Sequence, residues 1–238
     1  AIPFMLPSFL GMIVFSFLPI IISIAISFTN WNGLDKLSYK TLANNFVFLD
    51  NYKQILGTSE FWKVLGHTCY YIVLYIPMVL IMSLLIASIL NKNMKGINFI
   101  RTIYYIPSLI GGSIGIAILW KLMFQEEGII NSLLKAIHLP PLHWLGDPKT
   151  ALPTIILLQL WTFGSSFVMF LAALKNVPAD LYEAADIDGT SSWKKFVKIT
   201  LPQISSIIFF NIIMQTITAL QSFTSSLVIT NGGPLKST

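Results

Sequence analysis

The chain has 238 residues, 55% of them hydrophobic and 11% charged, with a formal net charge of +5. Soluble domains carry about 25% charged residues, so this chain cannot cover a water-facing surface of its size and takes the bilayer as its solvent. The positive charge is scattered and forms no basic stripe, which argues against nucleic acid as a partner, and the lone Cys69 excludes an internal disulfide.

Five apolar runs approach the roughly 20 residues that a helix needs to cross a bilayer. The first is Ile2 to Phe28, with Pro19 inside it. It is too long for a signal-peptide core, and the chain begins Ala-Ile-Pro without an initiator Met. The second lies between Lys63 and Lys92 and contains Pro77; the third lies between Arg101 and Lys121 and contains Pro107. Within the third, "SLIGGSIG" (Ser108 to Gly115) pairs small residues four apart, Ser108 with Gly112 and Gly111 with Gly115, as close helix packing requires. The fourth run is Thr150 to Leu174 and the fifth Ile199 to Ile229. The closing "TNGGPLKST" reads as a loop, and the chain reads as a fragment at both ends. The expected fold class is an all-α polytopic membrane protein, one transmembrane domain over 1–238.

Alternate loops then fall on opposite sides. Lys92, Lys95, Arg101, Lys175, Lys194, Lys195 and Lys198 crowd two short loops of one side, which the density of basic residues makes cytoplasmic. Trp31, Trp62 and Trp120 fall on the other side, as an interfacial aromatic belt would place them.

No Asp, Glu, Lys or Arg lies deep in any run, and His67 stands near the outer boundary. Ion-coupled carriers usually need buried ionisable groups as relays. Uncharged polar residues are patterned instead. Asn211, Gln215, Thr218, Ser222 and Ser225 recur at helical spacing on the fifth run, and Gln159, Thr162 and Ser166 do so on the fourth. Trp161 lies at mid-run, where no interfacial belt would put it. These side chains serve either helix packing or a path for a polar, uncharged solute such as a sugar, whose ring can stack on an indole.

Between the last two runs comes "YEAADIDGTSSWKKFVKITLP" (Tyr182 to Pro202), an acidic cluster, a glycine and a basic cluster. Pro178 and Asp180 suit a helix start, and Leu181, Ala184 and Ala185 form a short apolar face. Gly189 suits the left-handed residue that ends a helix, Thr190, Ser191 and Ser192 offer caps for a second helix, and Lys194, Lys195 and Lys198 reach toward lipid headgroups. The segment 175–202 thus reads as helix, turn, helix along the cytoplasmic surface.

The spacing within it is specific. Glu183-Ala184-Ala185, Gly189 after three residues, and Ile199-x-Leu201-Pro202 after nine more resemble the EAA signature of binding-protein-dependent ABC importer permeases. Thr190 stands where many members have alanine. "SFTNWNG", "FIRTIYYIPS", "NVPADLYEAADIDG" and "TNGGP" extend the resemblance over nearly the whole chain, toward the carbohydrate-uptake branch with its maltose-permease F-type and glycerol-phosphate A-type subunits. The resemblance implies the type I importer transmembrane fold, with five of its six core helices present here. It implies that a helix of about Ala179–Asp188 docks in a cleft of a cytoplasmic ATPase, with Glu183, Ala184, Ala185, Asp188 and Gly189 as the coupling residues. It further implies a second homologous permease, two ATPases carrying ATP and magnesium, an extracellular solute-binding protein, a sugar or oligosaccharide as substrate and the bacterial cell membrane as location. The chain has no G-x-x-x-x-G-K-[ST] phosphate loop of its own, so it is expected to be neither the ATPase nor an enzyme and to hold no cofactor. The rival readings are an ATP-independent channel or carrier and an intramembrane enzyme, for which no nucleophile–base pair is visible.

Overall fold

The computed structural model describes every residue except Ala1, Asp35, Leu37, Asn93, Met94, Phe223 and 235–238, and all described side chains except those of Ile2, Pro3, Tyr39, Thr41, Thr224 and Ser225. Ser225 of the expected polar face therefore lies outside the described side chains. The described residues of the apolar runs are mostly helical, and the chain divides into two compact units, Ala1–Lys63 and Val64–Thr238.

In the first unit, α1 (Ile2–Met12) passes through a wider π-type turn at Ile13–Phe17 into α2 (Leu18–Ser27). The short helices α3 (Tyr39–Asn44) and α4 (Asp50–Gly57) come next. Asn51 fastens α4 to the end of α2 by donating to the carbonyls of Ser27 and Thr29, each at 2.9 Å. Tyr52 adds a hydroxyl contact with Ser27 at 2.6 Å. These bonds satisfy carbonyls that the end of a helix leaves without partners.

The long α5 (Ser59–Leu90, 32 residues) continues through Pro77. At 1.5 Å per residue it is roughly 48 Å long, well beyond a hydrocarbon core. Its last carbonyl, that of Leu90, is capped by Arg101, whose Nε and Nη2 donate to it at 3.1 and 2.6 Å. Arg101 thus serves the joint between α5 and α6 (Ile97–Ile110) as well as the charge balance of that side.

The remaining three apolar runs are broken helices. Among the described residues two helices are long and apolar enough to cross a membrane, and up to five spans result if each bent pair counts as one. The third run breaks between α6 and α7 (Ile114–Phe124), and the segment Ile114–Ala136 is bent by 99° from Ile97–Ile110. Gly111 and Gly112 weaken the helix there, and Ser113 caps the new one by accepting from the amide of Ile116. The fourth breaks between α9 (Pro148–Leu160) and α10 (Gly164–Lys175), bent by 50°. The fifth breaks twice. A 69° bend separates 192–203 from α14 (Ser205–Leu220), and α14 ends before α15 (Thr224–Thr230).

The two broken runs interlock. A β-carbon on Gly111 would lie 2.1 Å from Cγ2 of Thr162, and one on Gly164 would lie 2.8 Å from Oγ of Ser108 and 2.9 Å from the Tyr104 carbonyl. The small residues of "SLIGGSIG" therefore do pack closely, through Ser108 and Gly111, while Gly112 and Gly115 face open space. The core of this unit gathers around α10, where Phe167 and Phe170 are fully buried with Val79, Ala87 and Ile155.

On the side expected to be outer, α8 (Ile129–Ala136) carries Asn131, 1% exposed. Its amide donates to the carbonyls of Glu126 and Leu142 and accepts from the Leu142 amide and the Trp144 indole. One saturated amide thereby holds the whole loop. Trp120, near the end of α7, meets Trp161 and Phe124 edge to face, at ring separations of 5.5 and 6.0 Å.

Candidate functional site: a surface handle and a neutral cavity

The segment after α10 folds as its residue order predicts. α11 spans Ala179–Ile187, with Pro178 just before it and Asp180 in its first turn. Ala185 is buried, whereas Glu183, Ala184 and Asp188 are exposed. Gly189 has φ +65°. Its amide donates to the Asp186 carbonyl at 3.1 Å and that of Thr190 to the Ala185 carbonyl at 2.9 Å, the paired bonds of a Schellman ending.

Two side-chain contacts set the angle between this helix and the next segment of chain. Tyr182 shares a 2.7 Å hydrogen bond with Thr200, which is 5% exposed and lies in the π-type segment Phe196–Thr200. Lys195, in the short α12 (Ser192–Lys195), donates to Asp186 at 2.5 Å with only 18% of its side chain exposed. Lys195 is therefore not available to lipid headgroups, a correction with a plain cause: a carboxylate within reach outcompetes solvent for a half-enclosed ammonium. Ser191 occupies the N-cap of α12 without a side-chain hydrogen bond, so the anticipated cap is positional only.

The second feature is a cavity of about 390 Å³ in the second unit, a volume within the ordinary range for small-molecule sites, about 300–1,000 Å³. Its wall combines hydroxyls (Ser108, Thr162, Ser165, Thr218, Ser222), amides (Gln159, Gln215, Gln221) and the two tyrosines Tyr71 and Tyr75, and among the described residues no charged side chain lines it. The helix breaks explain the composition. Ser108 and Gly112 flank the α6–α7 break, Thr162 and Ser165 the α9–α10 break, and Gln221 and Ser222 come just after the end of α14. Irregular backbone at membrane depth is tolerated where it is buried in protein or lines such a space.

Of the expected polar residues, Gln159, Thr162, Gln215, Thr218 and Ser222 are brought together in this wall. Three are placed elsewhere. Asn211, 1% exposed, turns its amide onto the Ile207 carbonyl at 2.9 Å. Ser166, also 1% exposed, accepts from Nε2 of Gln215 at 2.8 Å, and its neighbour Ser165 faces the cavity instead. Trp161 packs on Trp120 and is absent from the wall. The break after Leu160 advances the face of the fourth run, so helical spacing carried across it picks Ser166 in place of Ser165; Asn211 lies within the unbroken α14, where its own hydrogen bond turns it onto the backbone. Ser222 reaches the wall from a turn and not from the helix as expected. Tyr71 and Tyr75 had no polar pattern to reveal them, although their spacing of four on α5 is that of one helix face.

The model of the family described as "binding-protein-dependent transport system inner membrane component" matches residues 55–238. A probable ABC transporter permease protein, YesP, of Bacillus subtilis (strain 168) is 40% identical over 99% of this chain and 75% of its own length. The lactose transport system permease protein LacF of Rhizobium radiobacter is 32% identical over 99% of this chain and 78% of its own. In structure, a bacterial ABC transporter involved in the import of the acidic polysaccharide alginate superposes with a TM-score of 0.75 at 22% identity, over 99% of this chain and 78% of that one. That likeness shows the fold: the transmembrane part of an ABC importer. The broken helices, the exposed α11 segment and the neutral cavity thus sit on a chain that belongs to the family of binding-protein-dependent transport system inner membrane components, a multi-pass permease of an ABC importer.

Proposed function

We propose that this permease forms part of the passage through which an ATP-driven importer moves a neutral sugar or short oligosaccharide, working by alternating access. The observation that carries the reading is the cavity wall of hydroxyls, amides and two tyrosine faces without a charged group among its described residues. Sugar hydroxyls are read by such donors and acceptors, and the apolar faces of a pyranose pack on aromatic rings. The names of relatives such as the lactose permease protein agree with this substrate class.

The chain offers no phosphate loop, so nucleotide and magnesium belong to separate ATPase subunits. Glu183, Ala184, Ala185, Asp188 and Gly189 form the surface those subunits grip. A second permease completes the passage, and an extracellular binding protein delivers the solute; a related alginate transporter has been seen with its solute-loaded periplasmic protein. Motion of α11 reaches the cavity through α10, from which only Asn176, Val177 and Pro178 separate it.

The reading is tested by uptake into vesicles that hold the full set of subunits. Neutral sugars presented on the binding protein should enter only with ATP. Entry at the same rate without ATP would instead establish a self-contained carrier. Within that assay Gln159→Leu or Gln215→Leu should reduce uptake by a few-fold to tenfold, since a neutral hydrogen bond contributes about 0.5–1.5 kcal/mol. Normal uptake in both variants would reduce the cavity to a packing feature.

Orientation has its own test. Ser191 and Lys40 are both exposed. In a Cys69→Ala background, Ser191→Cys should react with an impermeant thiol reagent only from the cytoplasmic side and Lys40→Cys only from outside. Labelling of Ser191→Cys in intact cells would invert the topology.

A further inference from the structure

A second cavity of about 320 Å³ adjoins the first. Tyr71 and Ser222 belong to the walls of both. The two chain segments that border them order the chambers in the same sense. Along α5 the second chamber takes Val64, His67 and Thr68, before Tyr71, and the first takes Tyr75, after it. Along the opposing segment the first alone takes Gln215 and Thr218, the two alternate from Ala219 to Ser222 with Gln221 on the first, and past the end of α14 the second alone takes Leu227 and Asn231. The chambers are therefore stacked in series, and Tyr71 with Ser222 forms the neck between them.

The neck is held by a buried chain of contacts. Tyr71 is 7% exposed, and its ring stacks on that of Tyr75 at 5.3 Å and 18°. Ser222, the other residue shared by the two walls, lies beside it. The Tyr75 hydroxyl donates to Oε1 of Gln215 at 3.3 Å, and Nε2 of Gln215 donates to Ser166 at 2.8 Å. Ser166 lies on α10, the helix that runs toward the handle. Any shift of α10 along its axis moves Ser166, and with it the pair of rings. A phenol at such a neck closes it by its bulk and can swing aside by a change of rotamer, with no rearrangement of backbone.

We propose that Tyr71 is the gate between an outer and an inner chamber of the solute path, positioned by the Tyr75–Gln215–Ser166 chain. The inference rests on the transport reading of the cavity, but its test requires neither ATP nor the native sugar. The assembled, nucleotide-free transporter is placed in vesicles and passive entry of radiolabelled sucrose is measured. The wild type should stay as tight as protein-free vesicles. Tyr71→Ala should leak at least tenfold faster, whereas Tyr71→Phe, which keeps the ring, should remain tight. A Tyr71→Ala transporter as tight as the wild type overturns the gate. A second measurement leaves the tyrosine in place. In a Cys69→Ala background, an impermeant thiol reagent added from outside should label Thr68→Cys in the outer chamber at least tenfold faster than Ser165→Cys in the inner chamber. Equal rates would also overturn the proposal. Failure of ATP-driven uptake in the wild type, by contrast, would count against the transport reading and not against the gate.

Discussion

Gly189→Val abolishes ATP-driven uptake while the permease still reaches the membrane: this is the largest functional effect expected. Gly189 holds φ +65° at the end of α11, and the space around its α-carbon is open. The cost of a side chain is therefore conformational and not a clash. An L-residue in the left-handed region gives up about 1–2 kcal/mol, and a β-branched one is a true outlier there. The simplest relief is to unwind the Schellman bonds from Gly189 and Thr190, which frees the end of α11. The helix then loses its fixed angle to α12, and Glu183 and Ala184 no longer meet the ATPase in register. Glu183→Ala should act through the contact itself, by removing an exposed carboxylate that a basic group of the ATPase can bind. The check combines capture of the ATPase by the tagged permease with ATP hydrolysis and uptake in vesicles. Both variants should show hydrolysis that no longer responds to the loaded binding protein, or an ATPase that no longer co-purifies. Full coupling in both would mean that α11 is not the handle.

A large effect on stability is expected at Gly164, where two broken helices meet. Its β-carbon would lie within 3.0 Å of Ser108 Oγ, of the Tyr104 carbonyl and of Ser108 Cβ. Backbone cannot move aside as a flexible side chain would, so Gly164→Val must push α6 and α10 apart. Overpacking of this kind costs roughly 1–3 kcal/mol, occasionally more. It also opens the wall at Ser108 and Thr162, so transport should fall along with stability. Gly66→Ala on α5 is the control, because nothing lies within 4 Å of its position; alanine in a helix interior gains about 0.5–1 kcal/mol over glycine. Thermal unfolding of the detergent-extracted protein should show Gly164→Val well below the wild type and Gly66→Ala equal to it or above. If Gly164→Val melts with the wild type, the close contact between the two broken helices is not a stabilising feature of the folded protein.

Membrane class, the apolar runs and the helix and turn after α10 could be read from residue order because each rests on short-range physics. Low charge and long apolar stretches select a bilayer regardless of how the helices later pack. The helix and its turn are local as well. Asp180 at a helix start, Gly189 in a left-handed ending and the fixed interval to Pro202 all lie within a few turns of each other. The cavity was only half legible. Helical spacing found Gln159, Thr162, Gln215 and Thr218 because each lies on or next to an intact helix. It erred for Ser166, because the break after Leu160 resets the face that α10 turns inward; Asn211, on the same intact helix as Gln215, is instead drawn onto the Ile207 carbonyl, and Trp161, singled out for its depth, packs on Trp120. Where a helix breaks depends on what it packs against. Gly111 meets Thr162 and Gly164 meets Ser108 across more than fifty residues of sequence, and no local pattern encodes that contact. Tyr71 and Tyr75 show the same limit. As residues they are ordinary apolar-run tyrosines; only the approach of α14 and α10, through Gln215 and Ser166, makes them the wall and neck of a path.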